Sequence, residues 1–314
     1  MEVLRGTKAR ASGERACVAT IGVFDGVHRG HTALFEVVTS EAKRLSARAA
    51  IVTFEPHPVE VLAPDRAPCV LTTIDQRLEL FEAHGFDLAV VLRFDRAFAN
   101  LTPADFVRAA LVAEVRARKV VVGEDFRFGH DRAGDVAPLA ELGRKFGFEA
   151  QAIELVGADD GKIGSSEIRR LIADGKVERA ADLLGRGFAL AGKVVGGQKI
   201  ARELHGFPTV NLETHPRACV PGLGVYGGWW IWRGRRLPGV VNVGRERGPG
   251  IDPTPVPVVE IHIFDFDEDV RGEEGEIEFT AFIRPELRFE GVDALMKQIR
   301  ADADQAREIL TGSP

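Results

Sequence analysis

Apolar positions in the first half of the chain come in two alternating textures. Short unbroken runs, "ACVATIGVF" (16–24), "AAIVTF" (49–54), "DLAVVLRF" (87–94), "KVVVGEDF" (119–126) and "FEAQAIEL" (148–155), have strand length and predict buried strands. Between them, apolar residues recur every three or four positions. "HTALFEVVTSEAKRLSAR" (31–48) sets Leu34, Val37, Val38, Ala42 and Leu45 on one stripe and predicts a helix. Helices are also predicted over 72–85, opened by a Thr cap and closed by Gly, over 102–115, with Pro in the first turn, and over 135–147. Regular alternation of this kind predicts an α/β doubly wound parallel sheet. Ligands of such sheets bind beyond the carboxyl ends of the strands. "GVFDGVHRGH" (22–31), "FEPHP" (54–58) and "GEDFRFG" (123–129) each fall at such an end.

The texture changes near residue 187. Gly and Pro rise, and the runs "FALAGKVVGG", "GVYGGWWIWRG", "RLPGVVNVG", "VPVVEIHIFDF" and "GEIEFTAFIR" read as short strands separated by turns. They predict a small antiparallel barrel or sandwich. "VDALMKQIRADADQAREIL" (292–310) then predicts a closing helix with Val292, Leu295, Met296, Ile299 and Ile309 inward. Two short helices, "SSEIRRLIADG" and "KVERAADLLG", lie between the halves, and no internal repeat is present.

A chain of 314 residues suits two domains of about 150 residues each. The net charge of −6 gives no basic excess, so nucleic acid is not an expected partner, while a small anionic ligand still fits local charge. Cys17, Cys69 and Cys219 lie far apart and form no zinc spacing, so they are expected to be buried thiols of a reducing compartment. "MEVLRGTKARASGERA" has no signal-peptide core and no apolar run approaches the ~18 residues of a membrane span. A cytoplasmic protein without a membrane partner is expected.

The decamer "GVFDGVHRGH" admits three readings: a tight turn, a metal site or a phosphate cradle. A turn explains Asp25 and Gly26 but not both histidines, and no Cys or carboxylate completes a usual zinc spacing. A strand ending near Phe24 and a helix starting near Gly30 or His31 would aim free backbone N–H groups and a helix dipole at an anion. Gly22, Gly26 and Gly30 would let that anion approach the backbone. The helix N-terminus disfavours protonation of His31, so His28 and His31 would donate as neutral imidazoles.

This decamer resembles the nucleotidyltransferase signature G-x-F-D-G-x-H-x-G-H of the prokaryotic bifunctional riboflavin kinase/FAD synthetase family, and the likeness runs along the whole chain. It implies a nucleotidyltransferase-like sheet over 1–186, followed over 187–314 by a small antiparallel β-barrel kinase domain with a C-terminal helix. It also implies that Gly22, Phe24, Asp25, Gly26, His28, Gly30 and His31 hold nucleotide phosphates. "TFEPHP" (53–58) resembles T-F-x-P-H-P and places Pro56 and His57 by the ligand, although Pro-His-Pro alone is also a rigid turn. "VVGEDFRFG" (121–129) resembles G-x-D/N-F-R-F-G and places Asp125, Phe126 and Phe128 by flavin and nucleotide, or the rings simply pack. "IGSSEIRR" (163–170) resembles I-S-S-T-x-I-R. Ser165 and Ser166 then face the triphosphate or cap a helix, and Arg169 stabilises phosphate charge. Gly164 and Ser166 depart from that pattern, which implies weakened rather than lost contacts.

In the second half, "HGFPTVNLE" (205–213) resembles G-F-P-T-A-N, which implies that Thr209 and Asn211 hold Mg2+ and ATP. "VVEIHIFDF" (258–266) resembles V-E-x-H-x-x-D-F, which makes Glu260 the general base for the ribityl hydroxyl. On a strand Glu260 and His262 share one face, Ile261 and Ile263 the other, and a carboxylate pointing into a small barrel needs a function. Departures are larger here. Gly196 replaces a His and Ala201 sits near an expected Gly, with Lys199 and Arg202 retained. "NVGRERGPGIDP" (242–253) lacks R-P-T-F, and Arg271 stands where Tyr is usual. The resemblance implies an enzyme, a transferase that uses ATP to convert riboflavin to FMN and FMN to FAD. An FAD synthetase with a weak or inactive kinase half, and a non-catalytic flavin- or nucleotide-binding regulator, are the alternatives.

Overall fold

The computed structural model describes residues 1–6, 16–154, 163–195, 209–245 and 257–312. The chain divides into two compact units, one of residues 1–68 and 74–164, the other of residues 69–73 and 165–314.

The first unit carries strands β1 (Glu2–Arg5), β2 (Cys17–Ile21), β3 (Arg48–Glu55), β4 (Leu88–Arg93), β5 (Ala117–Gly123) and β6 (Glu149–Ile153). They form one parallel sheet in the order β1-β4-β3-β2-β5-β6. Its helices are α1 (Arg29–Arg44), α2 (Pro58–Leu62), α3 (Ile74–Ala83), α4 (Arg96–Ala99), α5 (Pro103–Val107) and α6 (Val136–Phe146). The unbroken apolar runs are explained by the two faces. Cys17, Ala19, Ile21, Ala50, Val52, Leu88, Val90, Val120 and Val122 pack against Phe106, Leu111 and Leu139. The alternate positions Val18, Ala49, Ile51, Ala89, Val91 and Val121 pack against Leu34, Phe35, Val38, Leu78 and Phe81. Both faces are covered, as a parallel sheet requires.

Boundaries shift where local geometry overrides period. Helix α1 stops at Arg44 because Ser46 takes φ +52° and the Ala47 N–H returns to the Ala42 carbonyl at 2.9 Å. The stretch 102–115 is an α-helix only to Val107, then a wider π-helical turn over Arg108–Ala113. The spacing of four between the buried Val107, Leu111 and Val115 exceeds the α-helical period, and the wider turn keeps them on one line. β1 has no counterpart among the sequence-predicted strands.

The second unit contains α7 (Ser165–Ala173) and α8 (Val177–Leu184), then β7 (Phe188–Val195), β8 (Val210–Thr214), β9 (Gly224–Trp232), β10 (Arg235–Gly244), β11 (Val258–Ile263), β12 (Glu274–Arg284) and α9 (Val292–Thr311). Of barrel and sandwich, the barrel is what forms: it closes in the order β10-β11-β8-β7-β12-β9. Helix α9 lies on its outer wall, where Ala303, Ala306 and Leu310 pack with Val225, Val240 and Phe264. The inward face of α9 therefore differs from the expected stripe. Val292 is 50% exposed and Met296 is only half-buried, whereas Asp302, Ala303, Ala306 and Leu310 are buried. Buried Asp302 is held by a bidentate Arg284 at 2.7–2.9 Å and by Gln298 at 2.8 Å.

The cysteine expectation is corrected in part. Cys69 and Cys219 form a disulfide across 150 residues, beside an isolated bridge between Val70 and Ala218. Two thiols distant in sequence are brought together by the fold, which spacing alone does not show. Cys17 is a buried free thiol, pushed up to about 11 by burial. Among the described residues no helix is long and apolar enough to cross a membrane.

Candidate functional site

In the first unit, β2 has β3 on one side and β5 on the other. From β2 the chain runs through α1 to β3 and outward to β4, which pairs with the amino-terminal β1, and it then fills the other side with β5 and β6. The carboxyl end of β2 is thus a topological switch point. The loops after β2, β3 and β5 carry the three motif segments, so Gly22–His31, Pro56–His57 and Asp125–Phe128 follow adjacent strands at the carboxyl end of the sheet.

The loop after β2 is a tight turn closed by the Val27 N–H on the Phe24 carbonyl at 3.1 Å. Phe24, Gly26 and Val27 have φ of +53°, +83° and +42°, so Gly26 sits where glycine is favoured, while Phe24 and Val27 are strained. Asp25 is buried, 3% exposed. Phe24 is a core residue here, edge-on to Phe35 and Phe81 and 5.2 Å from the His31 ring. His28 is the N-cap of α1, and its carbonyl accepts the N–H groups of His31 and Thr32 at 2.7 and 3.1 Å. No acidic side chain occupies the first turn of α1 and the cap makes no side-chain bond to it. The positive end of the dipole is therefore offered to an external anion.

The imidazoles of His28 and His31 stack, with ring centroids 3.6 Å apart. Gly30 makes room for this: a Cβ there would lie 3.2 Å from the His28 ring. Burial, reinforced by the neighbouring His28, holds His31 well below the ordinary histidine range. The His31 Nδ1 is buried and has no hydrogen-bond partner among the described residues. A neutral imidazole with an unengaged ring nitrogen can donate to a phosphate oxygen. Among the described residues no group of three or more His, Cys, Asp or Glu is placed to hold a metal ion.

At the neighbouring strand end the Glu55–Pro56 peptide is cis and His57 caps α2, its Nδ1 accepting the Val59 N–H at 3.2 Å. Asp125 is exposed and Phe126 half-buried. Phe128 is buried in the core against Phe106 and Phe126. The two rings thus differ in what they offer a ligand. Ser165, Ser166 and Arg169 lie on α7 in the second unit, where the Arg169 Nε donates to the Cys69 carbonyl at 2.7 Å.

In the barrel, β11 is paired with β8 on one side and β10 on the other. The register places Asn211, Glu260 and Asn242 in one row across the three strands. Val259, Ile261 and Ile263 are buried within the barrel, so this row lies on the outer wall, the same face on which Val240 meets α9. The expectation of a carboxylate inside the barrel is corrected: Glu260 and His262 do share a face, but it is the outer one, half-buried. Alternation fixes which residues share a face, while which face turns inward depends on the closed sheet.

Asn211 is 9% exposed, and its Oδ1 has no hydrogen-bond partner among the described residues. A buried amide oxygen two positions after the Thr209 hydroxyl suits Mg2+, a hard cation that takes few protein oxygens and shares phosphate ligands. Gly196, Lys199, Ala201, Arg202 and residues 246–253 lie outside the described residues. Arg271 is exposed and paired with Asp269 at 2.8 Å.

Two residues escape motif reading. Asn242 faces Glu260 across β10 and β11. Its signal is an amide in the apolar run "VVNVG". Arg77 on α3 is buried beneath the β2 loop, and its signal is a charge on the stripe Ile74, Leu78, Phe81.

Comparison with known proteins assigns each half of the chain to a family. The FAD synthetase family model matches residues 10–167, and the riboflavin kinase family model matches residues 184–310. The chain belongs to the bifunctional riboflavin kinase/FMN adenylyltransferase family. A relative of that description from Escherichia coli (strain K12) is 36% identical over 98% of this chain and 97% of its own length. One from Pseudomonas fluorescens is 36% identical over 100% of this chain and 99% of its own. A crystal structure described as a macrolide-efflux protein from Streptococcus pneumoniae superposes with a TM-score of 0.84, at 28% identity, covering 98% of this chain and 99% of that one. That description is a statement about the other protein, and the likeness is one of architecture. Members of the bifunctional family carry both halves in one chain, as this chain does.

Proposed function

We infer that this protein is a transferase with two activities, phosphorylating riboflavin to FMN and adenylylating FMN to FAD with release of pyrophosphate. The observation that carries this is the match of one chain to both family models, each over its own half. ATP is the co-substrate of both steps, and such a supply suits a cytoplasmic enzyme. The functional division is 1–186 for adenylyl transfer and 187–314 for the kinase.

For adenylyl transfer, an oxygen of the FMN phosphate attacks the α-phosphorus of ATP. The bond from that phosphorus to the β-bridging oxygen breaks, and pyrophosphate leaves with the electron pair. No protein nucleophile is needed, so positioning and charge stabilisation are the protein's share. His28, His31 and the amino end of α1 supply neutral donors there, and Gly22, Asp25, Gly26 and Gly30 shape the approach. Pro56, His57, Asp125 and Phe126 border the flavin side, while Phe24 and Phe128 act by packing. Ser165, Ser166 and Arg169 keep the phosphate role their motif implies.

For the kinase step, Glu260 takes the proton of the ribityl hydroxyl as its oxygen attacks the γ-phosphorus of ATP, and ADP leaves. Thr209 and Asn211 would hold Mg2+, which when bound offsets charge on the phosphate oxygens.

The test is to incubate purified protein with Mg2+ and ATP plus either riboflavin or FMN, and to separate the flavins chromatographically. FMN and FAD from riboflavin support the assignment. FAD from FMN alone would remove the kinase activity, and binding without turnover would remove both.

A further inference from the structure

We propose that Arg77 is a positioning residue for adenylyl transfer, clamping the turn after β2 so that His28 and His31 are presented at the start of α1. The proposal rests on reading the first unit as the FMN adenylyltransferase site.

Arg77 is 3% exposed. Its Nη1 donates to the Val23 carbonyl at 2.9 Å and to the Thr53 Oγ1 at 3.1 Å. The Thr53 hydroxyl donates to the same Val23 carbonyl at 3.0 Å, and the Arg77 Nη2 donates to the Glu55 Oε2 at 2.9 Å. One guanidinium thereby ties the loop after β2 to the end of β3, from a third element, α3. Burial lowers the affinity of Arg77 for its proton, and the charges of Asp25, Glu55 and Glu60 oppose that. The cation is thus surrounded by acidic groups of the loop, the strand end and α2.

The clamp acts where the backbone most needs it. Val23 directly precedes Phe24, Gly26 and Val27, all in the left-handed region. A β-branched residue such as Val27 holds that conformation only where its surroundings over-determine it. The Gly22 N–H on the Val52 carbonyl at 3.1 Å and the Val27 N–H on the Phe24 carbonyl at 3.1 Å also tie the turn. His28 follows Val27 immediately, so any relaxation of the turn is passed to both imidazoles. Packing of α3 on the sheet is already provided by Leu78 and Phe81. An arginine is suited to this place because its planar fork fixes the directions of its donors, whereas an ammonium is a compact, more strongly hydrated charge on a flexible stem.

Riboflavin phosphorylation reports that the second unit is intact, and thermal melting reports whether the first unit, which holds Arg77, stays folded. Arg77→Lys and Arg77→Gln are compared with wild type for FMN-to-FAD turnover, riboflavin phosphorylation and thermal melting. In Arg77→Lys the kcat for FAD formation should fall about tenfold, with the KM for ATP within about twofold, and in Arg77→Gln about 100-fold, the scale expected for misplaced catalytic groups. Riboflavin phosphorylation should be unchanged in both. Wild-type kcat in both variants overturns the proposal. So does an effect confined to KM, or equal loss of both activities. If Arg77→Gln does not fold, Arg77→Lys decides alone. A wild-type protein that makes no FAD from FMN would instead overturn the underlying reading.

Discussion

The ring of His31 lies 3.6 Å from that of His28 with the planes 19° from parallel, so two imidazoles share one desolvated wall at the start of a helix. The neighbouring His28 adds to burial in holding His31 below the ordinary histidine range. Replacing both by Ala should lower FAD formation at least 100-fold, the cost of one or more lost transition-state donors. FMN formation by the same chain should be retained. Chromatography of the two products measures both at once, and comparable loss of both activities in folded protein would refute the division of labour.

His31 also sets a pH dependence. The unfolded chain takes up this proton at about pH 6.5. The folded imidazole, held well below that value by burial and by His28, does not. The unfolded state therefore binds more protons as pH falls below about 6.5, and stability should decline there by up to about 1.4 kcal/mol per pH unit for this one group. Thermal melting from pH 7.5 to 5 should show the decline, and His31→Asn should flatten it.

Glu260 is flanked by Asn211 and Asn242 in register, amides that can orient a carboxylate without neutralising it. Glu260→Gln should abolish riboflavin phosphorylation, by about 100-fold or more, and leave FAD formation from supplied FMN intact. Asn242→Ala should produce a smaller loss in the same step. Initial rates with each flavin in turn give the answer.

The disulfide between Cys69 and Cys219 closes a loop of 150 residues. Its reduction by a dithiol should raise the number of thiols that react with maleimide in denaturant from one to three. The reduced protein should be less stable by about 2–5 kcal/mol. Mass spectrometry after labelling and denaturant titration test the two parts.

The sheet was legible because strand length and an unbroken apolar run report burial on both faces: Val18 and Ala19 face opposite layers and both are fully buried. The decamer was legible because its chemistry is local, confined to a strand end and the first turn of α1. What the sequence left out is what folding assembles from afar. Cys69 meets Cys219 only through the fold, and Arg77 meets Val23 across 54 residues. The inward face of α9 differs from its apolar stripe because its first turns are exposed or only half-buried. The helical period is real, but full burial begins only at Asp302 and Ala303. Period alone does not say where along a helix its support starts.

The seating of Asn211, Glu260 and Asn242 on the barrel's outer skin has a consequence for how this half can change over generations. Its greasy filling, centred on Trp230, Ile261 and Phe279, shares no side chain with that polar row. Substitutions that retune the row therefore act on the outer face that Val240 and α9 share, and leave the inner filling its own side chains.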